Sequence, residues 1–316
     1  MDGTIIDRLA RALASGTTRR GLVAGLGSLA AALPASGALA GAGSGAESGA
    51  RSGKDLGRRR GRGRGRDGSP AQPRITDVDL DGAGHPQVGL MVAQDAAGKP
   101  LWRCSGTLIA PTLFLTAGHC AEAPAARAEI WFDADVQSGV PGNGYPYHGQ
   151  ASGKTATHPL YDPAAFYLHD LGVVRLDAPY AAQAYGQLPA LDRLDELARR
   201  RGKKDLTFTA VGYGMQQSFP DAASWKDVSL KIRMVATPRL IQINTGYTGD
   251  GSLILSNNAN TGGTCYGDSG GPNFIADSLV IGGVTSFGKN GTCGGTGGVY
   301  RVDRADDLDW LASLMP

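Results

Sequence analysis

Long apolar runs are nearly absent from this sequence, and histidine and cysteine are scarce. Outside Gly21–Ala40 no apolar stretch approaches the roughly 18 residues of a spanning helix, which excludes any further membrane span. Five histidines and four cysteines in 316 residues show no tight His/Cys/carboxylate spacing, so neither metal nor other cofactor is expected. Helical patterns alternating with strands are also missing, which argues against an α/β architecture. What is present is ordinary for a globular chain. Hydrophobic residues make up 41% of it, enough apolar material for a core, and the length allows one or two domains.

Charge is segregated. The net +2 conceals nine Lys/Arg against three Asp/Glu in residues 41–74, and 18 basic against 24 acidic groups in residues 75–316. A mildly acidic main body argues against specific nucleic-acid binding there. The basic segment 41–74 is rich in Gly, Ser and Arg and reaches its densest charge at Gly57–Arg66. Such a composition cannot bury enough apolar surface to offset its ordering entropy, so a disordered propeptide or linker is expected. Its 51–66 tract would bind anionic polymers weakly. Residues 1–40 read as an export signal. Arg19-Arg20 precedes a Gly/Ala-rich, weakly hydrophobic run that ends in Ala38-Leu39-Ala40, the pattern of the twin-arginine route. The expected destination is the secreted or periplasmic/cell-wall space, with no membrane span after signal removal.

From Gln87 onward, short apolar runs are punctuated by Gly, Pro, Asn and Asp. Val88–Val92, Leu101–Ile109, Leu113–Thr116, Ile130–Phe132 and Gly172–Leu176 read as strands. A second set follows at Leu206–Gly212, Val228–Val235, Leu240–Ile243, Pro272–Phe274, Leu279–Phe287 and Gly298–Arg301. Leu191–Arg200 reads as a connecting helix. In Asp306–Met315, Leu308, Leu311 and Leu314 are spaced for one helical face.

One turn carries the chemistry. Gly267-Asp268-Ser269-Gly270-Gly271-Pro272 sets a serine among small residues, where backbone N–H groups can converge on one point. A serine hydroxyl needs a base and an oxyanion site to act as a nucleophile. Leu115-Thr116-Ala117-Gly118-His119-Cys120 offers the base, and His169-Asp170-Leu171-Gly172 the acid. The order His, Asp, Ser is that of the chymotrypsin group. Together with Cys104–Ile109, Val284–Gly288 and Gly298–Val302, these strings make the chain resemble a trypsin/chymotrypsin-like serine endopeptidase of the bacterial secreted type, from about His85 onward.

The resemblance implies an all-β fold of two packed six-stranded antiparallel Greek-key barrels, at about 85–190 and 205–302, with a C-terminal helix at 303–316. It implies Ser269 as nucleophile, His119 as general base, Asp170 as its orienting acid, and the N–H groups of Gly267 and Ser269 as oxyanion hole. The four cysteines fall into two suitable pairs, Cys104 with Cys120 and Cys265 with Cys293, and an even count in an exported chain favours disulfides. The specificity slot would have Gly263 as floor, Thr264 beside it, and Gly288 and Gly298 as small walls. Ser286, Phe287 and Gly288 would pair with substrate backbone. A wide slot without an acidic floor favours aromatic or large apolar P1 residues, and Thr285 stands where glutamate-specific relatives often carry histidine. His169 is expected at the rim, His158 on a surface loop, and His85 and His148 in solvent. Activation by cleavage at Arg74–Ile75 would give an amine to pair with Asp268, although Arg74-Ile75-Thr76-Asp77 departs from the family's Ile-Val-Gly-Gly start. The expected partners are protein or peptide substrates, and the expected state is a monomer. A narrow-specificity processing protease and a non-catalytic binding protein on the same scaffold are the alternatives. The second usually lacks a triad residue.

Overall fold

The structure is a computed structural model that describes residues 78–316 apart from 166, 200–205 and 247. The expected export signal, the basic segment and the Arg74–Ile75 bond lie outside the described residues. After a two-residue strand β1 (Asp79–Leu80), the chain builds β2 (Val88–Gln94), β3 (Pro100–Ala110), β4 (Leu113–Thr116), β5 (Arg127–Trp131), β6 (Ala151–Thr157) and β7 (Gly172–Leu176). These six close into an antiparallel barrel in the order β2-β3-β4-β7-β6-β5. β2 is buried along its whole length, so it reads as a continuous apolar run rather than an alternating one. Its hairpin to β3 is set by Asp95, whose Oδ1 accepts from the N–H groups of Ala97 and Lys99, and by Gly98 at φ +78°.

β6 was not expected from the sequence, because ASGKTAT has almost no apolar content. Closure demands it all the same. It fills the gap between β5 and β7, and Gly153 lets it approach β7 where a Cβ would come within 2.7 Å of the Arg175 carbonyl carbon.

The second β-domain comprises β8 (Phe208–Gly212), β9 (Met234–Ala236), β10 (Leu240–Thr245), β11 (Gly249–Asn257), β12 (Pro272–Ile275), β13 (Ile281–Gly288) and β14 (Gly295–Arg301). With β1 they form an eight-stranded sheet in the order β1-β9-β8-β12-β13-β14-β11-β10. The sheet curls back on itself, and a single bridge, Thr207↔Arg239, joins the chain before β8 to the residue before β10. The expected two-barrel architecture therefore holds, with the first barrel closed and the second a curled eight-stranded sheet in place of the six strands expected. β11 was also not expected. Val228–Val235 yields a strand only at its end, because the chain before Met234 serves isolated bridges and buried Arg233, whose guanidinium binds Asp81 at 2.7 Å and the carbonyls of Phe132 and Gly82.

Core residues of the two β-domains merge. Leu90, Val92, Leu108 and Phe114 share one apolar cluster with Val211, Phe274, Val284 and Val302. Helix α1 (Gly118–Ala121) follows β4, α2 (Asp195–Arg199) lies in the connector, and α3 (Ala305–Leu314) ends the fold. On α3, Leu311 is fully buried, and Trp310 and Leu314 pack on the common core.

Candidate active site

β4 ends at Thr116 and the chain turns at once into α1, which carries His119. Close packing explains the flanking glycines: a Cβ on Gly118 would sit 2.9 Å from the Tyr161 ring. Asp170 is delivered from the other side, just ahead of β7. His169 there adopts φ +49°, an uncommon conformation that swings the next side chain inward. Asp170 is fully buried and accepts from the His119 main-chain N–H at 2.9 Å. The His119 ring Nδ1 lies 3.0 and 3.1 Å from its two oxygens. Ser286 Oγ donates to Asp170 Oδ2 at 2.5 Å. This role for Ser286 was missed by the sequence reading, because its partner lies 116 residues away.

The Ser269 turn is pinned from both β-domains. On the β3 side, Ser105 N–H donates to Ser269 O and Ser105 Oγ donates to Gly267 O, each at 2.8 Å. On the β13 side, Gly270 N–H donates to Thr285 O at 2.8 Å and Thr285 N–H to Gly271 O at 2.9 Å. Gly270 has φ +78°, and a Cβ there would come within 2.6 Å of Ser105 O, so only glycine fits. Among the described residues, the N–H groups of Gly267 and Ser269 donate no hydrogen bond within the fold, leaving both donors uncommitted.

Asp268 turns inward beneath this loop. Its carboxylate accepts from Gly214 N–H at 2.7 Å and from Cys265 N–H at 2.8 Å. Burial pushes it up to about 6, while the two N–H groups and the charge of buried Arg103 act in the opposite direction. The disulfides Cys104–Cys120 and Cys265–Cys293 both form. The first ties β3 to α1 beside His119, and the second links the serine loop to the far side of the slot.

Ser269 opens onto a small cavity of about 20 Å³, whose lining includes Thr264, Thr285, Ser286, Phe287 and Gly288. Two of the expected slot residues are not in that lining. Gly298 pairs with Phe287 across β13–β14, whereas Gly288 pairs with Gly297. Phe287 and Gly288, successive residues of β13, both line the cavity, as does Thr296 of β14, while neither Gly297 nor Gly298 does. A Cβ on Gly298 would fall within 2.6 Å of the Phe287 ring, and one on Gly297 would meet Thr264 Oγ1 at 3.0 Å. Gly263 packs over Asn257: a Cβ on it would lie 2.5 Å from Asn257 Oδ1. Hydroxyl groups of Thr264, Thr285, Ser286 and Thr296 stand among the residues that line the cavity.

Two of the other histidines depart from expectation. His158 is buried, not on a surface loop, and burial holds it below the usual imidazole range. Its ring stacks on His169 at 4.9 Å and approaches Asp307. His158, His169 and Asp307 bring three donor atoms within 4.8 Å of one another. The two rings are nearly parallel, at 10°, so their in-plane lone pairs do not converge on a common ion. His85 binds Asp81 and stacks on Phe274, while His148 is exposed as expected.

A shared base–acid arrangement at the meeting of two β-domains, with a pinned serine turn, defines the serine protease class of this fold. The family model described as Trypsin matches residues 81–310, and the chain belongs to that family. Phenoloxidase-activating factor 3 of Holotrichia diomphalia is 26% identical over 74% of this chain and 70% of its own length. Serine protease 56 of Homo sapiens is 27% identical over 71% of this chain, and the alignment spans only 36% of its length. Among solved structures, HL collagenase superposes with a TM-score of 0.57 at 21% identity, covering 76% of this chain and 97% of that one. Human heparin binding protein superposes at 0.54 with 17% identity, covering 76% and 96%. These two likenesses bear on the fold.

Proposed function

We propose that this chain is an exported serine endopeptidase that hydrolyses peptide bonds through Ser269, His119 and Asp170. The observation that carries the reading is the approach of both the ring and the main-chain N–H of His119 to one buried carboxylate. Asp170 would fix the imidazole with Nδ1–H toward itself, which presents Nε2 as the base. Nε2 takes the Ser269 proton as Oγ attacks the scissile carbonyl. The oxyanion that develops is met by the N–H groups of Gly267 and Ser269, neither of which has to break a bond within the fold first. His119 then returns the proton to the leaving amine, and water repeats the sequence on the acyl-enzyme.

Substrate backbone would add as a strand beside Ser286–Gly288. No acid lies in the slot lining, so the P1 residue accepted would be neutral. Two disulfides suit an oxidising compartment, consistent with export by the twin-arginine signal read in residues 1–40. Hydrolysis of a denatured protein substrate tests the reading. Ser269→Ala should lose activity by about 10⁶-fold with its fold retained, by analogy with other triads. Retention of more than a few parts in a thousand would place the nucleophile elsewhere.

A further inference from the structure

Arg103 lies within β3, is 1% exposed, and has no part in the triad. Burying a guanidinium is costly unless its surroundings use the charge, so its neighbours show what it serves. Nη2 donates to Ser229 Oγ at 2.8 Å, on the loop between β8 and β9. The same guanidinium stands against the serine turn. A Cβ on Gly267 would lie 3.1 Å from Arg103 Nη2 and 3.2 Å from Nε. Gly267 has φ +96°, so its conformation and the nearness of Arg103 both favour glycine there. Arg103 and Ser105 alternate along β3 and project from the same face of the strand. Ser105 Oγ donates to the Gly267 carbonyl at 2.8 Å. One side chain of β3 thus holds the Gly267 carbonyl, and the other faces its Cα.

The next residue of the turn supplies the opposite charge. The Asp268 carboxylate occupies space that glycine leaves open: a Cβ on Gly214 would lie 2.7 Å from its Oδ1. Gly214 N–H donates to Oδ1 at 2.7 Å and Cys265 N–H to Oδ2 at 2.8 Å. Two neutral donors orient the carboxylate but leave its charge in place. Arg103 is the cation whose field favours the ionised form. A cation here does what a freed amine would do. It keeps Asp268 charged and turned beneath the loop, and so keeps the N–H groups of Gly267 and Ser269 available to an oxyanion. Because Arg103 is built into β3, this support is present before any cleavage.

We propose that Arg103 is a positioning residue for the oxyanion hole: set against Gly267 and acting on the Asp268 carboxylate, it holds the serine turn in catalytic form in the uncut chain, with no amine from Arg74–Ile75 required. The inference rests on the endopeptidase reading of the same site, and its test separates the two. The full chain is prepared with Arg74→Gln, which removes the candidate cleavage site, and N-terminal sequencing shows that residues ahead of Ile75 remain. Its kcat on a short peptide amide with a neutral P1 residue should lie within about threefold of that of wild type cut at Arg74. In the same background Arg103→Met, which keeps an unbranched side chain and removes the charge, should lower kcat of the folded protein at least 10-fold. KM should change less than about twofold, because Arg103 does not touch substrate. Arg103→Lys, which restores the charge, should recover most of the loss. Should Arg103→Met not fold, Asp268→Asn in that background takes its place and should lower kcat to a similar degree. An uncut chain that is inert until cleaved after Arg74 overturns the proposal and leaves the protease reading in place. So does an unaltered kcat in the charge-removing variant, or an Arg103→Lys no more active than a folded Arg103→Met. A chain that hydrolyses nothing, cut or uncut, and takes no fluorophosphonate label at Ser269 overturns the protease reading, and this proposal with it.

Discussion

Asp170 shows how much one side chain can organise. It gathers the ring and main chain of His119 from the first β-domain and the hydroxyl of Ser286 from the second. A hydrogen bond to a buried charge contributes about 1.5–3 kcal/mol. Ser286→Ala should therefore lower kcat by roughly 10- to 100-fold, with KM for a short peptide little changed. Steady-state kinetics on the folded variant check this, and an unaltered kcat would mean that Ser286 does not hold the acid. At this scale the sequence was legible where chemistry leaves a local signature. His119 and Ser269 each sit among small residues, of which Gly118 and Gly270 leave no room for a side chain. Ser286 toward Asp170 was not legible, because the two lie 116 residues apart in the sequence.

Among the elements, apolar runs such as β2 and β3 announced themselves, whereas β6 did not. Its small polar residues form a strand because barrel closure supplies partners on both edges, a constraint that no local window contains. β11 was passed over for a related reason: its apolar core, Leu253–Leu255, is short and flanked by Gly, Asp, Ser and Asn. The C-terminal helix was legible from its period, but its buried stripe runs through Asp307 and Leu311 rather than Leu308. Asp307 is held there by the Tyr300 hydroxyl at 2.8 Å. Leu311→Ala should destabilise the protein by about 2–5 kcal/mol through the cavity it leaves, and Leu308→Ala by clearly less. Urea unfolding of both variants checks the order. Equal losses would mean that α3 docks by another face.

Stability of the whole molecule should carry the mark of its buried carboxyls. Asp268 is pushed up to about 6 from 3.8 and Asp307 to about 7, in both cases chiefly by burial. A carboxyl whose folded value is raised favours the fold fully below its unfolded value, and that advantage is lost as pH rises through the folded one. His158, held low by burial, acts in the other direction, since folding then opposes its protonation as pH falls. The Asp268 contribution can be isolated by comparison. Asp268→Asn should gain stability relative to wild type on going from pH 4 to pH 7.5, by on the order of 2 kcal/mol. A difference between the two melting curves that is independent of pH would contradict the assignment.

The same carboxylate bears on latency. Asp268 is already held by Gly214, Cys265 and the charge of Arg103, so the loop that carries Ser269 has internal supports besides any amine from cleavage at Arg74. The central claim is that Ser269 is a nucleophile driven by His119. Its most direct measurement is the rate at which a fluorophosphonate labels the secreted chain, with the adduct located by peptide mass analysis. The account predicts a single adduct on Ser269 and a labelling rate that falls by at least three orders of magnitude in His119→Ala. Labelling at another residue, or at an equal rate without His119, would contradict it.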